Sequence, residues 1–157
     1  MARPSRFWQL VFRLPVYLYR WRLGWLLGRR FLLLIHVGRR SGRRHETVLE
    51  IMEYRPLGPE VVVMSGWGAN AQWLRNIEAH PGPEVVIGCD RFVASHRVLG
   101  ADAAIAVLAG YEWHNRYAAW IIRTVLSRLL GWPYRSCDSD RRRLASQLPL
   151  IAFSPRA

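Results

Sequence analysis

With 157 residues, 51% of them apolar, the chain can bury the core of one domain and is too apolar for a disordered polymer. The formal net charge is +12 and every one of the 23 basic residues is arginine. Residues 1–44 hold eleven arginines and no acid, while residues 45–157 are nearly balanced. A localised charge of this kind excludes a uniformly basic nucleic-acid coat and points to one or two anion sites.

Residues 6–28 are rich in Trp, Tyr, Leu and Arg. Pro15 suits a first helical turn and Gly28 a helix end, so a helix is predicted over residues 15–27. Arg6, Gln9, Arg13 and Arg20 form a narrow polar stripe on an otherwise apolar helical wheel. Residues 1–30 are therefore read as a basic amphipathic segment preceding a domain over residues 31–157. Such a segment fits an anionic membrane surface, met through residues 3–30, or packs across the domain or in a homodimer.

Residues 31–37 form an apolar run that reads as a buried strand. Gly38-Arg39-Arg40-Ser41-Gly42 is a turn, and residues 45–54 the return strand. A third strand is predicted over residues 60–65. The loop Gly66-Trp67-Gly68-Ala69-Asn70 follows, with Asn70 as N-cap of a helix over residues 71–79. Residues 84–89 and 91–99 are strands joined at Cys89-Asp90. Asp102 caps a long helix over residues 103–130, with a break near Gly110 or Asn115. Residues 134–143 read as irregular, and a last strand lies near residues 148–153. Six short strands in hairpin-like order with inserted helices predict an α+β fold, an antiparallel barrel rather than a parallel doubly wound sheet.

Cys89 and Cys137 lack a Cys-x-x-Cys spacing, and His36, His45, His80, His96 and His114 show no metal-binding pairing. The longest uncharged stretch, residues 61–74, is shorter than the ~18 residues a membrane-spanning helix needs. With no leader pattern either, the expectation is a cytoplasmic protein.

Three local patterns bear on chemistry. The turn at residues 38–44 places four arginines in six residues beside Ser41 and two glycines, a composition suited to phosphate or carboxylate. The Ser65-Gly66-Trp67-Gly68 loop leads into a helix N-terminus, where free N–H groups favour anions and a Trp can cover a flat ligand. Trp73 and Asn76 share a helix face; by themselves they read as a core Trp and an exposed Asn. His36, His45 and His96 read as packing or hydrogen-bonding histidines, and Glu46, Glu50 and Glu53 as partners of nearby arginines. No nucleophile–base signature is present, so an enzyme of this sequence leaves the hard chemistry to a cofactor.

In this order, the Gly-Arg-x-Ser-Gly turn, the Val62-Val63-Met64-Ser65-Gly66-Trp67-Gly68 segment and Trp73-Leu74-Arg75-Asn76-Ile77 resemble the deazaflavin-dependent nitroreductase family, a branch of the flavin- and deazaflavin-binding split β-barrels. The likeness runs over residues 14–100 and more loosely over the last strand. It implies a six-stranded split β-barrel with flanking helices. It also implies hydride transfer from reduced coenzyme F-420 to a small electrophile, with FMN as the alternative cofactor. Gly38, Arg39, Arg40, Ser41, Gly42, His45 and Thr47 are implied to hold the cofactor phosphate and acidic tail. Ser65, Gly66, Trp67, Gly68, Gln72, Trp73 and Asn76 are implied to line its ring. Glu50 stands where the prodrug-activating relative has a substrate-facing Tyr, and Tyr111, His114 and Tyr117 where further substrate contacts fall. Quinone, enone and nitro acceptors all remain open. The family's frequent membrane association implies a peripheral place on the inner face of the cell membrane. The alternative is a non-catalytic flavin- or deazaflavin-binding, or peripheral membrane, protein; no nucleic-acid partner is expected.

Overall fold

The computed structural model describes residues 29–56 and 58–156. The predicted helix over residues 15–27, and nearly all of the basic segment of residues 1–30, lie outside them. Six strands, β1 (Phe31–Val37), β2 (Arg44–Arg55), β3 (Glu60–Met64), β4 (Glu84–Ile87), β5 (Asp90–Val98) and β6 (Leu150–Pro155), close an antiparallel barrel. Around it the order is β1-β2-β3-β6-β5-β4, with β4 returning to β1.

The barrel is split because its two long strands change partners midway. β2 pairs with β1 through Glu50 and with β3 from Ile51 onward, with a register shift between Ile51 and Glu53. β5 pairs with β4 as far as Val93 and with β6 from Ala94. Each half is thus a smaller sheet, and the halves share a core.

Continuous apolar runs mark strands covered on both faces. In β3, Val61 and Val63 point into the barrel while Val62 lies beneath the outer helices. In β6, Ile151 and Phe153 point inward, and Leu150 and Ala152 outward under the same helices. β5 alternates instead: Ala94 is buried, whereas Arg91, Val93, Ser95 and Arg97 are exposed. Helix α1 (Gln72–Ala79) contributes Trp73, Leu74 and Ile77 to the barrel core, with the Trp73 ring 6.4 Å from Phe153.

The break expected in the long helix is present, dividing it into α2 (Ala101–His114) and α3 (Ala119–Leu130) with a 3₁₀ turn at Arg116–Ala118 between them, while three other expectations change. The break falls at Asn115, whose side-chain amide donates to the Tyr111 carbonyl at 2.8 Å, while Gly110 stays helical. The segment read as irregular contains helix α4 (Asp138–Gln147). Leu144 is its one buried residue, too little for a periodic signal. A tertiary contact supplies the rest: Arg141 bridges Glu112 of α2 at 2.6 Å, to which the Tyr134 hydroxyl also donates, while Arg141 pairs within its own helix with Asp138 at 2.7 Å. Neither Asn70 nor Asp102 caps a helix; Ala71 and Gly100 occupy those positions without side-chain caps. The β4–β5 turn falls at Gly88-Cys89, one residue early, because Gly88 takes the left-handed conformation (φ 59°).

Candidate active site

The site grows from the β1–β2 turn. Gly38 N–H donates to the Arg43 carbonyl and Gly42 N–H to the Gly38 carbonyl, both at 2.8 Å. Gly42 has φ 62°, a conformation glycine adopts without strain. A Cβ on the buried Gly38 would stand 2.6 Å from both His45 Nε2 and Ser41 Oγ, so a side chain there would push the turn off its own strand.

From this turn Arg39 reaches across to α1. Its backbone N–H and its Nη1 donate to Asn76 Oδ1 at 3.1 and 3.0 Å, and Nη1 also donates to Gln72 Oε1 at 2.9 Å. With Oδ1 so engaged, the Asn76 amide nitrogen donates to His36 Nδ1 at 3.2 Å. His36 Nε2–H in turn donates to Thr47 Oγ1 at 3.2 Å. One chain of donors, Arg39 to Asn76 to His36 to Thr47, therefore ties the turn, α1, β1 and β2 together. It works only with a neutral imidazole protonated at Nε2.

The surroundings enforce that state. Burial lowers the pKa of His36 from 6.5 to about 4, and the stacked His45 ring, 5.7 Å away, adds to the lowering. Between those two values the unfolded ring carries a proton and the folded ring does not, so the contribution is intact above pH 6.5 and is lost as pH falls toward 4. Urea unfolding is expected to show a His36-dependent loss of about 3 kcal/mol across that window, at ~1.4 kcal/mol per pH unit. A His36→Gln variant should lack that part of the slope, and an identical slope would refute the assignment.

This network borders a cavity of about 760 Å³. Of the residues implied to hold the cofactor, Gly38, Arg39, Arg40, Ser41, His45, Thr47, Trp67, Gln72, Trp73 and Asn76 line it. Gly42, Ser65, Gly66 and Gly68 do not. Gly42 shapes the turn. Ser65 is buried, its hydroxyl donating to the Gly68 carbonyl at 2.7 Å. Gly68 has φ 66°, and a Cβ there would lie 2.9 Å from the Gln147 carbonyl oxygen. Those two build the loop that carries Trp67, which is 53% exposed at the cavity mouth. Asn76 is not the exposed residue its spacing suggested; it is 6% exposed and lies at the centre of the network. His36, Glu46, Asn70 and Ala71 also line the cavity and were not picked from the sequence as site residues. The one signal for His36 is its cross-strand pairing with His45, which appears only once the β1–β2 register is known.

The cavity has two chemical ends. Ala71, Trp67 and Trp73 offer apolar and aromatic surface. At the other end the turn brings Arg40 to the cavity, and its guanidinium group has no hydrogen-bond or ion-pair partner among the described residues; nor has that of Arg43, which lies on the same turn but does not line the cavity. Unpaired arginines beside a polar turn suit a phosphate- or carboxylate-bearing ligand.

A second, smaller cavity of about 180 Å³ lies between β2 and α2. It gathers Glu50, Tyr111 and His114 with Arg30, Ile51, Met52 and Asn115. Tyr111 Oη donates to Glu50 Oε1 at 2.8 Å, and Arg30 approaches the same carboxylate at 3.5 Å. Burial and then the Glu50 charge push the Tyr111 pKa up, so the phenol keeps its proton. His114 Nδ1–H donates to the Gly110 carbonyl at 2.8 Å, leaving Nε2 available. Tyr117, the fourth residue implied for substrate, is 84% exposed against Arg116 and does not line this cavity.

A family model described as F420H(2)-dependent quinone reductase matches residues 12–125. No curated protein matches the chain. Among solved structures, an F420-H2 dependent reductase (FDR-A) aligns at TM-score 0.46 and 16% identity, over 81% of this chain and 96% of that one. A pyridoxamine 5'-phosphate oxidase-related, FMN-binding protein from Nostoc punctiforme aligns at TM-score 0.51 and 15% identity, over 98% and 81%. HutZ, the heme storage protein from Vibrio cholerae, aligns at TM-score 0.50 and 17% identity, over 92% of each chain. At these identities the last two attest to the barrel fold alone.

Proposed function

The chain belongs to the F420H(2)-dependent quinone reductase family and is an F-420-dependent oxidoreductase; from that premise we propose that the larger cavity holds the coenzyme and the smaller one receives a quinone, enone or nitro acceptor. The observation that carries this reading is the larger cavity's division into an arginine-rich turn and an aromatic wall, joined by the Arg39–Asn76–His36–Thr47 chain. Coenzyme F-420 in its reduced form supplies a hydride when bound. Its anionic tail and flat apolar ring fit the two ends of a cavity of about 760 Å³, a size normal for a cofactor site.

The protein's part is positioning and the control of water. Arg40 supplies a free guanidinium group for the anionic tail, while Arg39, braced by Gln72 and Asn76, keeps the turn against α1. Trp67 and Trp73 cover apolar surface and exclude water. His36 has both nitrogens engaged and stays neutral, so it orients Asn76 and transfers no proton. At the smaller cavity the proton stays on Tyr111 Oη, held toward Glu50. Hydride transfer itself needs no strong acid or base, so rate rests on holding the two partners close.

The test is spectroscopic. Protein mixed with reduced F-420 should reoxidise it when menadione or a nitroaromatic is added, and should bind F-420 in preference to FMN. Binding without turnover on any acceptor would support the non-catalytic reading, and failure to bind either cofactor would remove both. The coenzyme also gives the N-terminal segment and a homodimer something to be tested against: each should be assayed for its effect on turnover.

A further inference from the structure

Helices α2, α3 and α4 cover the outside of one half of the barrel. They bury Val107, Leu126 and Leu144 in a cluster with Val62, Leu150 and Ala152 of β3 and β6. The outer face of the other half follows from the strand register, since directly opposed residues share a face. Leu33 of β1 stands between Val48 of β2 and Val86 of β4, and Ile35 between Glu46 and Glu84. Glu50 continues the same row along β2. This face is an apolar centre with carboxylates at its rim.

The centre is shielded, and not by either core. Leu33 and Ile35 are 8% and 6% exposed, yet neither belongs to a core cluster. Strand neighbours do not shield a side chain that far: Val93, on the same face opposite Glu84, is 51% exposed. Residues 31–35 also form the unbroken apolar run of a strand covered on both faces. The barrel core takes Leu32 and Leu34 on the inner face, so the outer face requires a cover of its own.

Connectivity and charge identify that cover. Only residues 28–30 separate β1 from the helix predicted over residues 15–27. Arg29 and Arg30 are held to β2, the first 5.2 Å from the Tyr54 ring centroid and the second 3.5 Å from Glu50 Oε1. So short a tether holds the preceding segment beside β1 at a high effective concentration. A helix over residues 15–27 spans ~20 Å, roughly the length of a seven-residue strand such as β1. Leu18, Trp21 and Trp25 recur at the spacing of one helical stripe. Residues 1–28 hold Arg3, Arg6, Arg13, Arg20 and Arg22 and no acid, which complements Glu46, Glu50 and Glu84. Among the described residues Arg44 is the ion-pair partner of Glu46, at 3.9 Å, which leaves room for a nearer donor. The exposed apolar ridge of α3, Ile121, Val125 and Leu129, has the opposite character: residues 113–137 hold four arginines and no acid, and repel a basic segment.

We propose that residues 15–27 of this chain fold back along β1 and cover the outer face of Leu33, Ile35, Val48 and Val86, with their arginines toward Glu46, Glu50 and Glu84. Along β2 that face runs from Glu46, which lines the larger cavity, to Glu50, which lines the smaller. The segment therefore lies along the rims of both.

The experiment is photo-cross-linking of the full chain with p-benzoylphenylalanine in place of Trp21, in lipid-free buffer, with the joined peptides identified by mass spectrometry. Isotope-labelled and unlabelled protein mixed in equal parts separates contacts within one chain from contacts between two. The cross-link should fall within residues 31–37, 44–50 or 84–93 of the same chain. Val48→Arg with Val86→Arg gives the face the segment's own charge and should lower the yield at least about tenfold. Leu18→Glu with Trp25→Glu should do the same from the segment's side, and it leaves the barrel's own residues intact should the arginine pair fail to fold. Cross-links to residues 113–130, cross-links between two chains, or no cross-link overturn the proposal. So does an unchanged yield in the folded variants. Neither coenzyme nor acceptor enters the readout, so the result is independent of what the cavities bind.

Discussion

Replacing Asn76 with alanine is expected to destabilise the protein by about 2–4 kcal/mol, because it strands buried partners rather than merely removing a contact. Asn76 is 6% exposed, and its amide links Arg39 to His36. Without it, the Arg39 backbone N–H, part-buried, and the buried His36 Nδ1 both lose their partner. Chemical denaturation measures the loss; a change below ~1 kcal/mol would show that water replaces the amide at little cost. Asn76→Asp separates the two halves of the network. Its carboxylate still accepts from Arg39 but cannot donate to His36 Nδ1. It should therefore retain more stability than the alanine variant and raise the His36 pKa above its present value of about 4, read from the imidazole resonances by NMR. An unmoved His36 would mean that the Asn76–His36 hydrogen bond does not exist in solution.

The second large effect concerns binding. Arg39→Ala combined with Arg40→Ala is expected to weaken F-420 affinity by about 2–5 kcal/mol, the range for truncating a charge partner of a buried anion. The two arginines should not contribute equally. Arg39 is half-buried and hydrogen-bonded to Gln72 and Asn76, so its loss also loosens the turn. Arg40 is exposed, so its share should be smaller and should fade as salt rises. Titration of each single variant at low and high ionic strength separates these roles. Affinity unchanged within error for the double variant would mean that the turn is merely solvated and that the coenzyme tail lies elsewhere.

Much of the barrel was legible in the residues. Short apolar runs bounded by glycines and prolines mark β1, β3 and β6, because a strand buried on both faces has no polar positions to interrupt it. The paired glycines of residues 38–42 mark a turn whatever the partner strands do. Helix α4 was not legible. Its residues, half of them charged, form a helix because Arg141 finds Glu112 from α2 and because Leu144 finds the core beneath. Neither event leaves a local periodicity.

The site divides along the same line. Sequence by itself determined that an arginine-rich turn and a glycine–tryptophan loop exist, since backbone freedom and charge are properties of the residues themselves. It also determined that Trp73 and Asn76 share a helix face, since that follows from helical spacing. What it left open was which of these groups meet. The β1–β2 register sets His36 against His45, and the seating of α1 in the barrel brings Asn76 to His36 and Arg39. Folding likewise separates Tyr117 from Glu50, Tyr111 and His114, because the helix breaks at Asn115 and turns its next residues outward. Hydrogen bonds and burial across elements depend on distances between residues forty to sixty-one positions apart, as in Asn76–His36 and Tyr111–Glu50. Those distances are set by closure of the barrel, and no local pattern carries them.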